Sequence, residues 1–120
     1  MIKIIFAHPN QRFTDLYHQK MSDHFDVEKA YDGLEAYRKI LSGHPQLVIA
    51  EYDLPKISGI TLLRFVRFNP TFSGLPFIFL SSSNNFEQAL NLGANDWVNP
   101  SYTSPDLVIK KVYYHLKNRI

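Results

Sequence analysis

The most constraining feature of this sequence is a regular alternation between short, unbroken apolar runs and longer stretches of helical period. Leu47 to Ala50 and Phe77 to Leu80 are continuous apolar runs of strand length. Such runs mark strands covered on both faces, because a half-exposed strand alternates apolar with polar residues. Ile2, Ile4, Ile5 and Phe6 read as a first strand, Phe25 to Lys29 as a weaker second, and Trp97 and Val98 as a short last one. Between them, apolar residues recur at helical spacing. Residues 11–23 carry Phe13, Leu16, Tyr17 and Met21, and Leu34 to Leu41 follow the turn signal Asp32-Gly33. Ser58 is placed to cap a helix bearing Leu62, Leu63, Phe65 and Val66, which stops at Asn69-Pro70. Phe86 to Leu92 read as a short helix with Gly93 as its stop. The last helix opens at Ser104-Pro105-Asp106, a cap, a first-turn proline and an early acid. Its stripe is Val108, Ile109, Val112, Leu116 and Ile120, and Lys117 and Arg119 suit the negative end of its dipole.

Five strands alternating with five helices predict an α/β domain: a parallel sheet with right-handed crossovers and helices on both faces. The 120 residues suffice for one domain, 1–120, which hides about two-thirds of the surface of its unfolded chain. Ligands in such folds bind beyond the carboxyl ends of the strands, where the strand order reverses. The residues there are His8-Pro9-Asn10, Glu51-Tyr52-Asp53, Ser81-Ser82-Ser83 and Asn99-Pro100.

Composition excludes several classes of function. Thirteen Lys and Arg against eleven Asp and Glu leave +2, too mild a balance to argue for direct contact with nucleic acid. The absence of cysteine removes disulfide and thiol chemistry and fits a cytoplasmic protein. No basic start followed by a long apolar stretch suggests a signal peptide, and no apolar run approaches the length of a bilayer span. There is no GxGxxG and no P-loop, and the segment HPNQR after the first strand lacks the glycines and hydroxyls of a phosphate loop. The expectation is a non-enzyme.

Four segments, in order and at matching spacing, resemble the receiver domain of two-component response regulators. PQLVIAEYDLPKISGITLLRFVR (residues 45 to 67) resembles that family's third strand, phosphoacceptor loop and third helix, with Pro55 and Gly59 at the family spacing. AYDGLEAYRKI resembles the start of the second helix, LPFIFLSS the fourth strand and GANDWVNP the fifth. The resemblance covers nearly the whole chain. It implies a flavodoxin-like (βα)5 fold with strand order 2-1-3-4-5, and a role in phosphorelay signalling.

Receivers accept a phosphoryl group on an Asp at the end of the third strand. A Mg²⁺ ion held by that Asp and by acids after the first strand assists, as do a hydroxyl and a Lys. Against that pattern, the acidic pair is replaced by His8 and Pro9, the acceptor position is Glu51, and the Lys position is Asn99, ahead of Pro100. Only the hydroxyl remains, as Ser81. Proline offers no ligand atom and imidazole suits softer metals, so Mg²⁺ binding is expected to be weak or absent. The interval from Trp97 to Pro100 is shorter than the family's, and the stretch from Ser81 to Gly93 lacks about three residues, roughly one helical turn of the fourth helix.

Glu51 reads either as a solvated residue at a strand end or as a standing mimic of phospho-Asp aimed at Ser81. Asp53 is the alternative acceptor, or an ordinary loop acid. The Ser81 to Ser83 run reads as a phosphate nest or, more simply, as a capping loop. Trp97 falls near the family's switch aromatic, and the Asn99-Pro100 bond is open to either isomer. His8 and Glu51 lie on strands that the implied order makes neighbours. They are expected to face each other, the carboxylate favouring imidazolium, unless His8 is solvated and unpaired. The reading is a phosphorylation-independent receiver, with a phospho-accepting receiver using Glu51 or Asp53 as the alternative. Its expected partner is another signalling protein, a fused output domain or a second copy, met by the fourth helix, fifth strand and fifth helix. Lys110, Lys111, Lys117 and Arg119 form either a solvated face or a contact for an acidic partner.

Overall fold

The computed structural model describes residues 1–118, so Arg119 and Ile120, the end of the expected apolar stripe, lie outside the described residues. The elements are β1 (Lys3–Ala7), α1 (Gln11–Met21), β2 (Asp26–Ala30), α2 (Gly33–Gly43), β3 (Leu47–Ala50), α3 (Gly59–Phe68), β4 (Phe77–Leu80), α4 (Phe86–Asn91), β5 (Asp96–Val98) and α5 (Pro105–Lys117). All strand pairs are parallel, in the order β2-β1-β3-β4-β5. This is the flavodoxin-like doubly wound sheet.

The continuous apolar runs are explained by burial on both faces. Ile5, Ala7, Val48, Ala50, Phe77 and Phe79 pack under α2, α3 and α4, against Ala36, Ile40, Leu62, Leu63, Val66 and Ala89. Their neighbours Ile4, Phe6, Leu47, Ile49, Ile78 and Leu80 face the other way, onto Tyr17 and Met21 of α1 and Val108, Ile109 and Val112 of α5. Successive side chains on a strand point to opposite faces, so each strand needs apolar residues at every position.

Helix starts follow their caps. Asn10, Asp32, Ser58 and Ser104 each accept a backbone N–H from the first turn of α1, α2, α3 and α5. Element ends differ from the sequence reading in small ways. β2 starts at Asp26 with Phe25 buried ahead of it, and α1 stops at Met21. Leu16 and Phe65, both in expected apolar stripes, are exposed, and Thr14 is buried in α1 instead. Thr14 fits there because its hydroxyl donates to the carbonyls of Asn10 and His8. A 3-10 helix over Pro100–Tyr102 is not evident from the sequence. Asn99 caps it. The Asn99–Pro100 bond is trans.

Candidate functional site

The register of the sheet builds the site. Ala7 lies beside Ala50, so the next residues, His8 and Glu51, leave the sheet side by side. Backbone bonds hold both exits: His8 N–H donates to Ala30 O and Glu51 N–H to Ala7 O, each at 2.9 Å. On the far flank of β3, Ser81 N–H donates to Val98 O at 2.9 Å, which fixes the start of the β4–α4 loop. Gly59 brings α3 close beneath: its N–H donates to Tyr52 O at 2.8 Å. A Cβ there would lie 2.4 Å from Glu51 O.

One oxygen of the Glu51 carboxylate is held by two donors. Oε2 accepts the Ser81 hydroxyl at 2.5 Å and the Asp53 N–H at 3.0 Å. Oε1 faces His8 Nε2 at 3.9 Å, and both side chains are only 14% exposed. Ser81 is fully buried, and its Oγ also accepts the Ser83 N–H at 3.2 Å. The Ser83 hydroxyl is buried beside it without a hydrogen-bond partner among the described residues.

His8 Nδ1 accepts the Asn10 N–H at 3.0 Å. A nitrogen that accepts carries no proton, so the neutral ring bears its hydrogen on Nε2 and presents it to Glu51. The ring stacks on Phe13, with centroids 4.2 Å apart. Burial lowers the His8 pKa from its ordinary value, and the attraction of Glu51 offsets this only in part. The two groups do face each other, as expected, but burial works against the imidazolium more strongly than Glu51 favours it.

Other singled-out residues stand apart from this cluster. Pro9 is exposed, as is Asp53, which contributes its backbone N–H to Glu51. Asn99 spends its Oδ1 on the Ser101 N–H at 2.9 Å, and Pro100 begins the 3-10 turn. Trp97 is half-buried against Phe79 and Tyr52, with centroids 5.1 and 5.9 Å away. The Tyr52 hydroxyl donates to Gln88 Oε1 at 2.8 Å, joining the β3–α3 loop to α4. Among the described residues no group of three or more His, Cys, Asp or Glu side chains is arranged to hold a metal ion. None of the described helices is long and apolar enough to cross a membrane.

Two further clusters escape sequence reasoning. Asp96 Oδ2 is bonded by Lys111 Nζ at 3.0 Å and His115 Nε2 at 2.8 Å, so Lys111 turns to this chain's own acid. Burial raises the Asp96 pKa, but bonds from His115, Lys111 and the Trp97 N–H outweigh it and hold the carboxyl below its usual value. The available signal was an acid inside a strand facing an i, i+4 basic pair. Arg67 donates to Gly93 O, Ser73 O, Leu75 O and Asn95 Oδ1, joining the end of α3 to the loops flanking β4 and β5.

The chain matches the family model of the response regulator receiver domain over residues 9–111. It is similar to the phosphate regulon transcriptional regulatory protein PhoB of Rhizobium meliloti, 32% identical over 89 residues, which are 72% of this chain and 39% of that protein. It is 28% identical over 115 residues to the transcriptional regulatory protein TrcR of Mycobacterium tuberculosis, covering 91% of this chain and 43% of the relative. A hybrid signal transduction histidine kinase D of Dictyostelium discoideum matches at 23% identity over 91% of this chain, which is 7% of the kinase. The chain thus spans less than half the length of these relatives. Among solved structures, the receiver domain of the Francisella response regulator 1452 superposes with a TM-score of 0.88 at 25% identity, covering 98% of both chains. The chemotaxis response regulator CheY4 of Vibrio cholerae gives 0.85 at 22% identity, covering 95% of this chain and 98% of that one. From its strand order to its matched residues, this chain belongs to the response regulator receiver domain family.

Proposed function

We propose that this receiver domain works without phosphorylation, in the cytoplasm, as a protein-binding module rather than an enzyme. The observation that carries the reading is the Glu51 carboxylate already bonded to the Ser81 hydroxyl. In a phosphorylated receiver that hydroxyl holds the phosphoryl group. Here the side chain of Glu51, one methylene longer than Asp, occupies it.

The surrounding groups support the same reading. Mg²⁺ demands near-octahedral oxygen ligands, supplied by carboxylates and waters. Glu51 Oε2 is taken by two hydrogen-bond donors, Pro9 brings no ligand atom, and His8 turns an N–H rather than a lone pair toward the carboxylate. This donor set does not fit the ion. Asn99, at the position of the family's lysine, bonds its own helix turn. Phosphoryl transfer is mostly positioning and charge neutralisation, and neither is supplied.

The partner is another signalling protein or an output domain fused to this one. Between β5, the 3-10 turn and α5 lies a groove of about 510 Å³ lined by Trp97, Asn99, Tyr102, Leu107, Lys110 and Tyr114. Exposed aromatics beside a lysine suit a protein contact better than a nucleic acid or a membrane surface.

Incubation with acetyl phosphate and Mg²⁺, followed by intact mass, tests the reading. The expected mass is unchanged. A gain of one phosphoryl group would overturn it, and peptide mapping would then assign the acceptor to Glu51 or Asp53.

A further inference from the structure

We propose that the input this pocket reads is a proton on His8: imidazolium formation breaks the His8–Asn10 bond, draws Glu51 toward β1 and loosens its hold on Ser81. The inference rests on the phosphate-independent reading above and names what regulates that same site.

The neutral ring has Nδ1 committed and Nε2 facing a carboxylate. Nδ1 accepts from Asn10 N–H at 3.0 Å, and Nε2–H is turned to Glu51. A second proton has only Nδ1 to go to, where it meets the Asn10 N–H head-on. Asn10 is the cap of α1, with its Oδ1 on the Phe13 N–H at 2.9 Å, and Phe13 stacks on the imidazole. Protonation therefore acts directly on the first turn of α1.

On the other side of the ring, the new charge stands 3.9 Å from Glu51 Oε1, in a site where both side chains are largely shielded from water. Attraction between charges is stronger there than in bulk solvent. The carboxylate is shared between His8 and Ser81, and Ser81 Oγ in turn accepts the Ser83 N–H. A shift of Glu51 toward His8 thus reaches the β4–α4 loop.

The other charges on the elements around His8 are occupied or exposed. Asp15 of α1 is paired with Lys29 of β2, and Asp32 ahead of α2 with Lys56. Arg12 and Asp53 are exposed. Glu51 is the group whose charge bears on His8, and burial pushes the ring's titration below its ordinary value.

An NMR titration of the full chain from about pH 8 to about pH 4.5 tests the proposal, following the imidazole nitrogens and the backbone amides. Near neutrality His8 is expected as the Nε2–H tautomer. On acidification it should titrate with a midpoint below 6.5, and the Asn10, Ser81 and Ser83 amides should shift with the same midpoint. Glu51→Gln keeps an acceptor for Ser81 but no charge. It should lower the His8 midpoint and abolish the Ser81 and Ser83 response while that of Asn10 persists. In His8→Gln the shared midpoint should vanish from all three amides.

An Nδ1–H tautomer at neutral pH would overturn the proposal. So would Ser81 and Ser83 amides that ignore the His8 midpoint, or that keep it in His8→Gln. Addition of MgCl2 at neutral pH separates the two layers. Shifts at Glu51 and Ser81 would overturn the phosphate-independent reading beneath, whereas a flat pH response with no magnesium response overturns the proton input alone.

Discussion

At His8 the desolvation of the ring outweighs the attraction of Glu51, so the imidazole is neutral at a pH where a solvated histidine carries part of a charge. The consequence for stability has a definite sign. A native pKa below the unfolded value of 6.5 costs nothing at higher pH. As pH falls through the unfolded value, the unfolded chain takes up the proton first, and stability declines until the native pKa is passed. The urea midpoint should therefore fall as the pH is lowered through 6.5, and His8→Gln should remove its share of that fall. Gly59 is the other residue on which the site depends. A Cβ there would lie 2.4 Å from Glu51 O, 2.7 Å from the Phe79 ring and 2.9 Å from Tyr52 Cα, two of them backbone atoms that cannot swing aside. Gly59→Ala should cost about 1–3 kcal/mol in denaturant unfolding and disturb the Ser81 amide resonance. The residue types at His8, Glu51 and Ser81 were readable from the sequence. The tautomer of His8 was not, because it is set by the Asn10 N–H and by burial.

At the scale of elements, the apolar runs carried most of the information, with the caps at Ser58 and Ser104 read from sequence and those at Asn10 and Asp32 seen only in the fold. Asn10, Asp32, Ser58 and Ser104 begin four of the five α-helices, and each has a side chain that accepts a first-turn N–H. The helix faces were harder. Leu16 and Phe65 fit their stripes on paper yet are exposed, because the covering of each face is decided by the neighbouring helix and sheet. The junction at Arg67 belongs to this scale as well. Its guanidinium gathers two carbonyls from the loop before β4 and one from the turn after α4. Burial lowers its pKa, although it stays charged at any ordinary pH. Arg67→Met keeps much of the stem and removes the donors. It should cost about 1.5–3 kcal/mol, read as a lower urea midpoint, with faster amide exchange around Gly93 and Asn95.

The whole molecule is one parallel sheet with a hydrophobic layer on each face. Each central strand contributes to both layers, so the layers are expected to unfold together. Phe79 is fully buried in the α3–α4 layer, against Phe77, Tyr52 and Trp97. Phe79→Ala should cost about 3–5 kcal/mol, a large part of the about 5–15 kcal/mol that holds a domain together. Trp97 fluorescence and far-ultraviolet circular dichroism should follow the same shifted transition. If the fluorescence alone moved, the two layers would not be one cooperative unit.

The order and type of the elements were determined by sequence alone, since unbroken apolar strands alternating with capped amphipathic helices have few ways to bury their faces other than a two-sided parallel sheet. The family was legible for the same reason, carried by Pro55, Gly59 and the runs around them. What only the tertiary structure decided is where charges and protons reside. Glu51 meets Ser81 across a strand boundary, Lys111 and His115 converge on Asp96, and burial works against a charge on His8. Those outcomes depend on distance and on desolvation, which arise only once residues far apart in the chain are packed together.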